Sequence, residues 1–170
     1  AFVSKYSVRK IVYKTATNST YSRDFTEKER IIDFDVYRKI TNIDEFNKIA
    51  SKPTENYRLY ADLDFINKTV TPISNFKGKF DGNNHTISNI RIENGNPIFY
   101  QLTGGTIKNL FVENYRNLSY ASHVGFIGLV QESADVENVH LKGVTLYGSY
   151  RVGGLAAYTN NSTISNCSVT

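Results

Sequence analysis

Three histidines, one cysteine and two neighbouring aspartates are the residues whose types and spacing bear on catalysis or metal binding in this chain. A catalytic zinc needs three converging protein ligands, usually announced by His-Glu-x-x-His on a helix, whereas His85, His123 and His140 each occur alone. Cys167 falls on an apolar position of a repeat, which predicts a small inward-facing hydrophobe. A nucleophilic thiol would need exposure and a positioned base. Asp62 and Asp64 alternate with Leu63 and so share one face of a strand. That spacing suits calcium or an acid/base pair, but a hard cation wants about six oxygens or more, and no further Asp recurs at this spacing. The expectation is a solvated strand face. The glycines of Phe76 to Ile87 lack the phosphate-loop spacing and no Gly-Lys-Ser/Thr closes them. No catalytic, cofactor-binding or metal-ligating residue is therefore predicted.

The element that would position any site is a repeat. Ile87-Ser88-Asn89-Ile90-Arg91-Ile92 returns as Ile107-Lys108-Asn109-Leu110-Phe111-Val112, Val136-Glu137-Asn138-Val139-His140-Leu141 and Ile164-Ser165-Asn166-Cys167-Ser168-Val169. The spacings are 20 (87 to 107), 29 (107 to 136) and 28 (136 to 164) residues. Repeats of about 20 to 50 residues mark stacked architectures. The last two apolar positions of each unit alternate as a strand does, but the first lies three residues before them, so something must reset the phase. Asn sits there, and Asn tolerates a left-handed backbone while hydrogen-bonding through its side chain. The reading is strand, bend, strand, stacked so that Asn89, Asn109, Asn138 and Asn166 form an internal ladder. This predicts an all-β fold, a parallel β-helix or β-solenoid, against a sandwich with coincidental Asn turns.

Around that body the chain divides into 1–40, a basic strand and loop segment, 41–56, a short capping helix and linker, and 57–170, the β-helix. In the first, Tyr6 to Tyr13 and Arg30 to Tyr37 read as strands and Thr15 to Glu29 as loop. In the second, Asn42 is a good N-cap with Glu45 placed for a capping box, Ile43, Phe46, Ile49 and Ala50 make an apolar stripe, and Pro53 ends it. A short amphipathic helix before a solenoid is expected to cover its open first coil, the competing role being a partner-binding helix. In the third, Leu59, Ala61, Leu63 and Phe65 alternate inward. Val124-Gly125-Phe126-Ile127-Gly128-Leu129 is expected to lie over Val152-Gly153-Gly154-Leu155-Ala156-Ala157. The stretches between repeats are rich in tyrosine, and insertions in solenoids collect on one face. Tyr115, Tyr120, Tyr147 and Tyr150 are thus candidates for a protein-binding surface, the alternative being packing over the flanks of neighbouring coils.

Bulk properties narrow the partners. Residues 1–40 hold nine Lys/Arg against five Asp/Glu and residues 41–170 hold eleven against eleven, so the whole net charge of +4 lies in the first segment. A neutral repeat body lacks the basic stripe of a nucleic-acid binder, and no apolar run is long enough for a membrane helix. Seven Asn-x-Ser/Thr triplets occur, one of them at the ladder residue Asn166, where glycosylation would be prohibitive. This favours a bacterial, extracytoplasmic source. The first residue, Ala1, and the last, Thr170, directly after a repeat strand, suggest a piece of a longer protein.

The stretch Phe80-Asp81-Gly82-Asn83-Asn84-His85-Thr86-Ile87-Ser88-Asn89-Ile90, with the glycine strand Val152-Gly153-Gly154-Leu155-Ala156, resembles the glycine-leucine repeat solenoids of bacterial surface proteins. The order helix then solenoid, and Asn138 to Thr170, resemble most the non-catalytic region of streptococcal immunoglobulin A proteases and related zinc metalloproteases. The resemblance covers roughly residues 40–170. It implies a secreted, wall-anchored endopeptidase whose zinc lies in a separate domain, with no cofactor in this part and a host glycoprotein such as immunoglobulin A as partner. The family's metal ligands carry over onto no position here. The alternatives are a stand-alone adhesin or carbohydrate-binding solenoid and, from fold alone, a polysaccharide lyase or glycosidase.

Overall fold

The computed structural model describes residues 10–14, 20–24, 36–93 and 95–170. Two units are present, residues 1–36 and 37–170. In the first, β1 (Lys10–Lys14) pairs antiparallel with β2 (Thr20–Asp24). β2 thus lies inside the stretch expected to be loop, where Thr and Tyr are strand formers and a partner strand satisfies the backbone. The expected strand over 30–37 falls mostly on residues 30–35, outside the described residues.

The second unit is a parallel β-solenoid of about four turns. It opens with β3 (Arg38–Ile40), α1 (Ile43–Asn47) and a 3₁₀ turn (Lys48–Ser51), then runs through β4 (Tyr57–Leu59), β5 (Leu63–Asp64), β6 (Lys79–Ser88), β7 (Arg91–Ile92) and β8 (Phe99–Thr103). It continues with β9 (Thr106–Glu113), β10 (Arg116–Asn117), β11 (His123–Val124), β12 (Ile127–Gln131) and β13 (Asp135–Lys142). The last coil carries β14 (Thr145–Leu146), β15 (Arg151–Val152), β16 (Ala156–Asn160), β17 (Thr163–Ser165) and β18 (Ser168–Val169). Every strand of this unit pairs in parallel with its counterpart one coil away, so β17, β13, β9, β6, β4 and β3 form one face, β14, β10 and β7 a second, and β16, β12 and β8 a third.

The register sets the coil length. Phe80 lies beside Ile107, Ile107 beside Val136 and Val136 beside Ile164, giving coils of 27, 29 and 28 residues (80 to 107, 107 to 136, 136 to 164). Asn109, Asn138 and Asn166 share one corner, each with a positive φ of 53 to 55°. Asn89 does not join them. It too is left-handed, at φ 58°, but Ile87 stands beside Val112 and Ser88 beside Glu113, so the next residue up is Asn114. Two corners therefore carry the same motif, the second reading Ile87-Ser88-Asn89-Ile90, Val112-Glu113-Asn114-Tyr115 and Leu141-Lys142-Gly143-Val144. Both need an apolar residue pointing in and then a left-handed residue, so the pattern matches at either.

Side chains link each corner along the axis. Asn138 Nδ2 donates to Asn109 Oδ1 at 3.0 Å, and Asn109 Nδ2 to Asp81 Oδ1 at 3.2 Å. Asp81, buried, receives Arg58 Nε at 3.0 Å, and the Arg58 guanidinium lies 4.2 Å over the Tyr37 ring. The first ladder thus starts on an ion pair. In the second, Asn114 Nδ2 donates to Asn89 Oδ1 at 3.0 Å and Asn89 Nδ2 to Asp64 Oδ1 at 2.8 Å. Gly143, at φ +69°, ends it, having no side-chain amide to carry the ladder on.

Rings fill the axis. Phe46 meets Phe65 and Phe80 at 5.6 and 5.9 Å, Phe80 meets Phe99 at 5.7 Å, Phe99 meets Phe126 at 5.7 Å, and Phe126 meets Tyr115 at 5.8 Å, all edge to face. The helix supplies the first ring: Phe46 and Ile49 are fully buried, and Ile43 and Ala50 pack at the margin. Its start is fixed by Asn42 Oδ1 accepting the Glu45 N–H at 2.9 Å. Glu45 in turn accepts the Thr41 N–H at 2.7 Å, one residue before the N-cap itself. In the last coil the expected alignment is one residue out: Ile127 pairs with Ala156, and the extra residue Gly154 lets Leu155 take the inward place of Phe126.

Replacing Asn138 with Ala removes the ladder amide and strains a left-handed residue, for an expected loss of about 2 to 4 kcal/mol. Asn138→Gly, free of the strain, should lose about half as much, and Glu137→Ala, outward and exposed, almost nothing. Urea unfolding midpoints check this order, and equal losses for Asn138→Ala and Glu137→Ala would overturn the ladder.

Candidate functional site

Of the four tyrosines between repeats, the structure separates one from three. Tyr115 is fully buried, because it holds the inward place of Ile90 one coil on, and its hydroxyl donates to the Gly125 carbonyl at 2.7 Å. Burial pushes its phenol well above the usual range. Tyr115 is therefore core, not binding surface, and the signal that shows this is the second-corner motif itself. Its hydroxyl also receives Asn117 Nδ2 at 3.3 Å, and Asn117 Oδ1 receives the backbone N–H of Ser119 at 3.1 Å together with the Ser119 hydroxyl. This buried polar string holds down the start of the loop that lifts Tyr120 into solvent. Asn117 and Ser119, two residues of another glycosylation triplet, are thus buried.

Tyr120, Tyr147 and Tyr150 are 73%, 57% and 72% exposed. Tyr120 and Tyr147 meet with ring centroids 5.7 Å apart and planes tilted by 39°. Gly148 seats the second loop: a Cβ there would lie 2.8 Å from Val124 Cγ2 and 2.9 Å from Val152 Cγ2, so the chain between Tyr147 and Tyr150 passes directly over β11 and β15. Those strands bring His123 beside Arg151. Arg151 Nη1 lies 3.2 Å from His123 Nε2, and its guanidinium carbon is 4.1 Å over the Tyr158 ring and 5.2 Å over that of Tyr150. Arg151 and Tyr158 were not singled out in the sequence, and His123 was noted there only as an isolated histidine. The signal for the His123–Arg151 pair is the 28-residue spacing from 123 to 151, which also brings Val124 over Val152.

The other polar candidates do not converge. His85 Nδ1 lies 3.0 Å from Asp62 Oδ1, and His140 stacks on Phe111 at 5.5 Å between Asn138 and Ser168. Among the described residues no three of His, Cys, Asp or Glu come together to hold a metal. Asp62 and Asp64 each have a separate structural task. The Thr86 N–H and then His85 hold the Asp62 carboxyl below the usual carboxylate range, and Asn89 and then the Ile66 N–H do so for Asp64. Cys167 packs at the edge of the core and donates to the Ser165 carbonyl. No helix among the described residues is long and apolar enough to cross a membrane.

Comparisons with known proteins agree with this architecture. Residues 148–170, which include β15 to β18 and both Tyr150 and Arg151, match the family model described as the GLUG motif. The chain is 30% identical over 149 residues, 77% of its length, to an immunoglobulin A1 protease of Streptococcus sanguinis, and 28% identical over 170 residues, 91% of its length, to that of Streptococcus pneumoniae. It is also 30% identical over 150 residues, 74% of its length, to halomucin of Haloquadratum walsbyi. These findings fit a β-helical region of an immunoglobulin A1 protease-like protein. The chain spans 8% of the length of each protease and 2% of that of halomucin. No solved structure matches.

A group whose folded pKa is depressed stabilises the fold above its unfolded pKa and loses that stability as pH falls through the folded value. Asp62 and Asp64 are such groups. Between about pH 5 and 2 the melting temperature should therefore fall, and the double variant Asp62→Asn/Asp64→Asn should fall less steeply. Parallel slopes would show that neither carboxylate is linked to folding.

Proposed function

We propose that this chain is a non-catalytic module of a secreted bacterial cell-surface zinc metallo-endopeptidase, holding or orienting a host glycoprotein such as immunoglobulin A for an active site elsewhere in the parent chain. The observation that carries the reading is the similarity of three quarters or more of this chain to a segment amounting to 8% of two immunoglobulin A1 proteases. In this reading the zinc belongs to a separate catalytic domain of the parent chain. The module contributes surface. Tyrosine gives wide contact area with a hydrogen-bonding tip at small entropic cost, and three exposed tyrosines stand on one stretch of the solenoid. The similarity to halomucin favours one alternative, an adhesin or carbohydrate-binding solenoid of a surface protein with no protease attached.

Surface plasmon resonance of the purified chain against immunoglobulin A is the direct test. Binding is expected, and Tyr147→Ser/Tyr150→Ser should weaken it about tenfold or more, as loss of aromatic anchors does, with the melting temperature nearly unchanged. Absence of binding, or a double variant that binds as the original does, overturns this role for the face.

A further inference from the structure

We infer that Ser168 is an acyl-accepting nucleophile, with His140 as its general base and an activated ester as the acyl donor. The inference goes beyond the binding role proposed above and concerns the eight-stranded sheet rather than the tyrosine loops. Phe111, His140 and Ser168 lie in register on β9, β13 and β18, one outward row in which Ser168 is exposed and His140 half-buried. Ser168 Oγ is 2.9 Å from His140 Nδ1, and His140 Nε2 is 2.9 Å from Asn138 Oδ1. A hydroxyl against an imidazole that a third group orients is the arrangement by which a serine is activated. Phe111 stacks on the imidazole with ring centroids 5.5 Å apart and planes 27° from parallel, which holds the plane of the base.

The direction of each hydrogen bond follows from the far end of the ladder. Asp81, a carboxylate paired with Arg58, offers only acceptors. Asn109 must turn its Nδ2 to it, which leaves Asn109 Oδ1 for Asn138 Nδ2 and Asn138 Oδ1 for His140. An amide oxygen cannot donate, so the neutral His140 carries its proton on Nε2, and Nδ1 is the lone pair that receives the Ser168 O–H. The donors of Ser168, His140, Asn138 and Asn109 thus all point toward one buried carboxylate, and bonds aligned in this way polarise one another. A second serine–histidine pair has the opposite polarity. Ser122 Oγ is 3.0 Å from His123 Nδ1, but Arg151 Nη1 donates to His123 Nε2 at 3.2 Å, so the proton sits on Nδ1 and Ser122 accepts it. What stands behind the imidazole therefore activates Ser168 and not Ser122.

In the reaction Ser168 Oγ bonds to the acyl carbon and gives its proton to His140 Nδ1. The bond from that carbon to the leaving oxygen breaks, and the leaving oxygen takes the proton from Nδ1. The products are an O-acylserine and an alcohol or phenol, with no change of oxidation state and no peptide bond cut.

Incubation of the 170-residue chain with p-nitrophenyl acetate, followed by peptide mass mapping, tests this. A hydroxylamine-labile acetyl ester is expected on Ser168, forming at least about tenfold faster than on Ser122, as general-base assistance supplies. His140→Gln, checked for folding by its melting curve, should bring Ser168 down to the rate of Ser122. Heteronuclear NMR of the ring nitrogens in the unaltered chain gives a reading that needs no variant: the neutral His140 should be protonated on Nε2 and the neutral His123 on Nδ1. Acetylation of Ser168 no faster than of Ser122, a folded His140→Gln variant that reacts as the original does, or a neutral His140 protonated on Nδ1 overturns the proposal.

Discussion

The solenoid depends on a backbone that turns left-handed at fixed places in every coil. A parallel coil must change direction without losing its inter-coil hydrogen bonds, and a residue at positive φ makes the sharpest such change. For most residues that conformation costs about 1 kcal/mol or more; Asn and Gly bear it most easily. Asn109, Asn138 and Asn166 hold one corner, Asn89, Asn114 and Gly143 the second, and Gly104, Glu132 and Asn161 stand at the third, beside strands β8, β12 and β16. Asn does more than tolerate the bend. Its amide reaches the residue one coil away, so that the corner which costs local strain also gains an axial hydrogen bond in a partly dry setting.

These axial chains have a beginning. An amide ladder offers a donor at one end and an acceptor at the other, and an unmatched buried end is costly. The first coils answer this with carboxylates, Asp81 under Asn109 and Asp64 under Asn89, each receiving amide N–H groups as charge-assisted bonds. Asp81 is then paired by Arg58, whose guanidinium lies over Tyr37. The helix resolves the matching problem for the apolar axis by placing Phe46 against Phe65 and Phe80. Polar ladders and aromatic column are thus all started within residues 37–81.

How much of this was legible follows from what the residues encode. The repeated motif revealed a parallel β-helix because alternation broken by Asn has few other meanings, and Asn42, Phe46 and Pro53 marked the helix by ordinary capping and amphipathic rules. The register was harder. Two corners impose one motif, so only spacing distinguishes them, and the 20-residue step from 87 to 107 among steps of 28 and 29 was the sign that Asn89 belongs elsewhere. Misplacing that corner concealed Tyr115 as core. The aromatic column was invisible for a related reason: Phe46, Phe80, Phe99 and Phe126 are spaced by no constant period, because Phe46 comes from the helix, Phe80 from β6, and Phe99 and Phe126 from the side of β8 and β12.

A face becomes available for binding where the coil length is free to vary. The motif corners are fixed by their ladders, and the β8, β12 and β16 face by its pairing, so added residues have to leave the coil between the second and third faces. This is where Leu118 to Ser122 and Tyr147 to Tyr150 emerge, and their anchoring differs in kind. Asn117 grips the first loop from below through Tyr115 and Ser119, whereas Gly148 seats the second by leaving room for Val124 and Val152. Because Asn117 is buried and Gly148 half-buried beneath the rings, the exposed tyrosines can change without disturbing the coil, and the coil can carry a different surface at the same place in another sequence. Arg151 is the exception, since it belongs to β15 itself and is held by His123 across the strand pair. Its position is therefore set by the ladder geometry rather than by a loop.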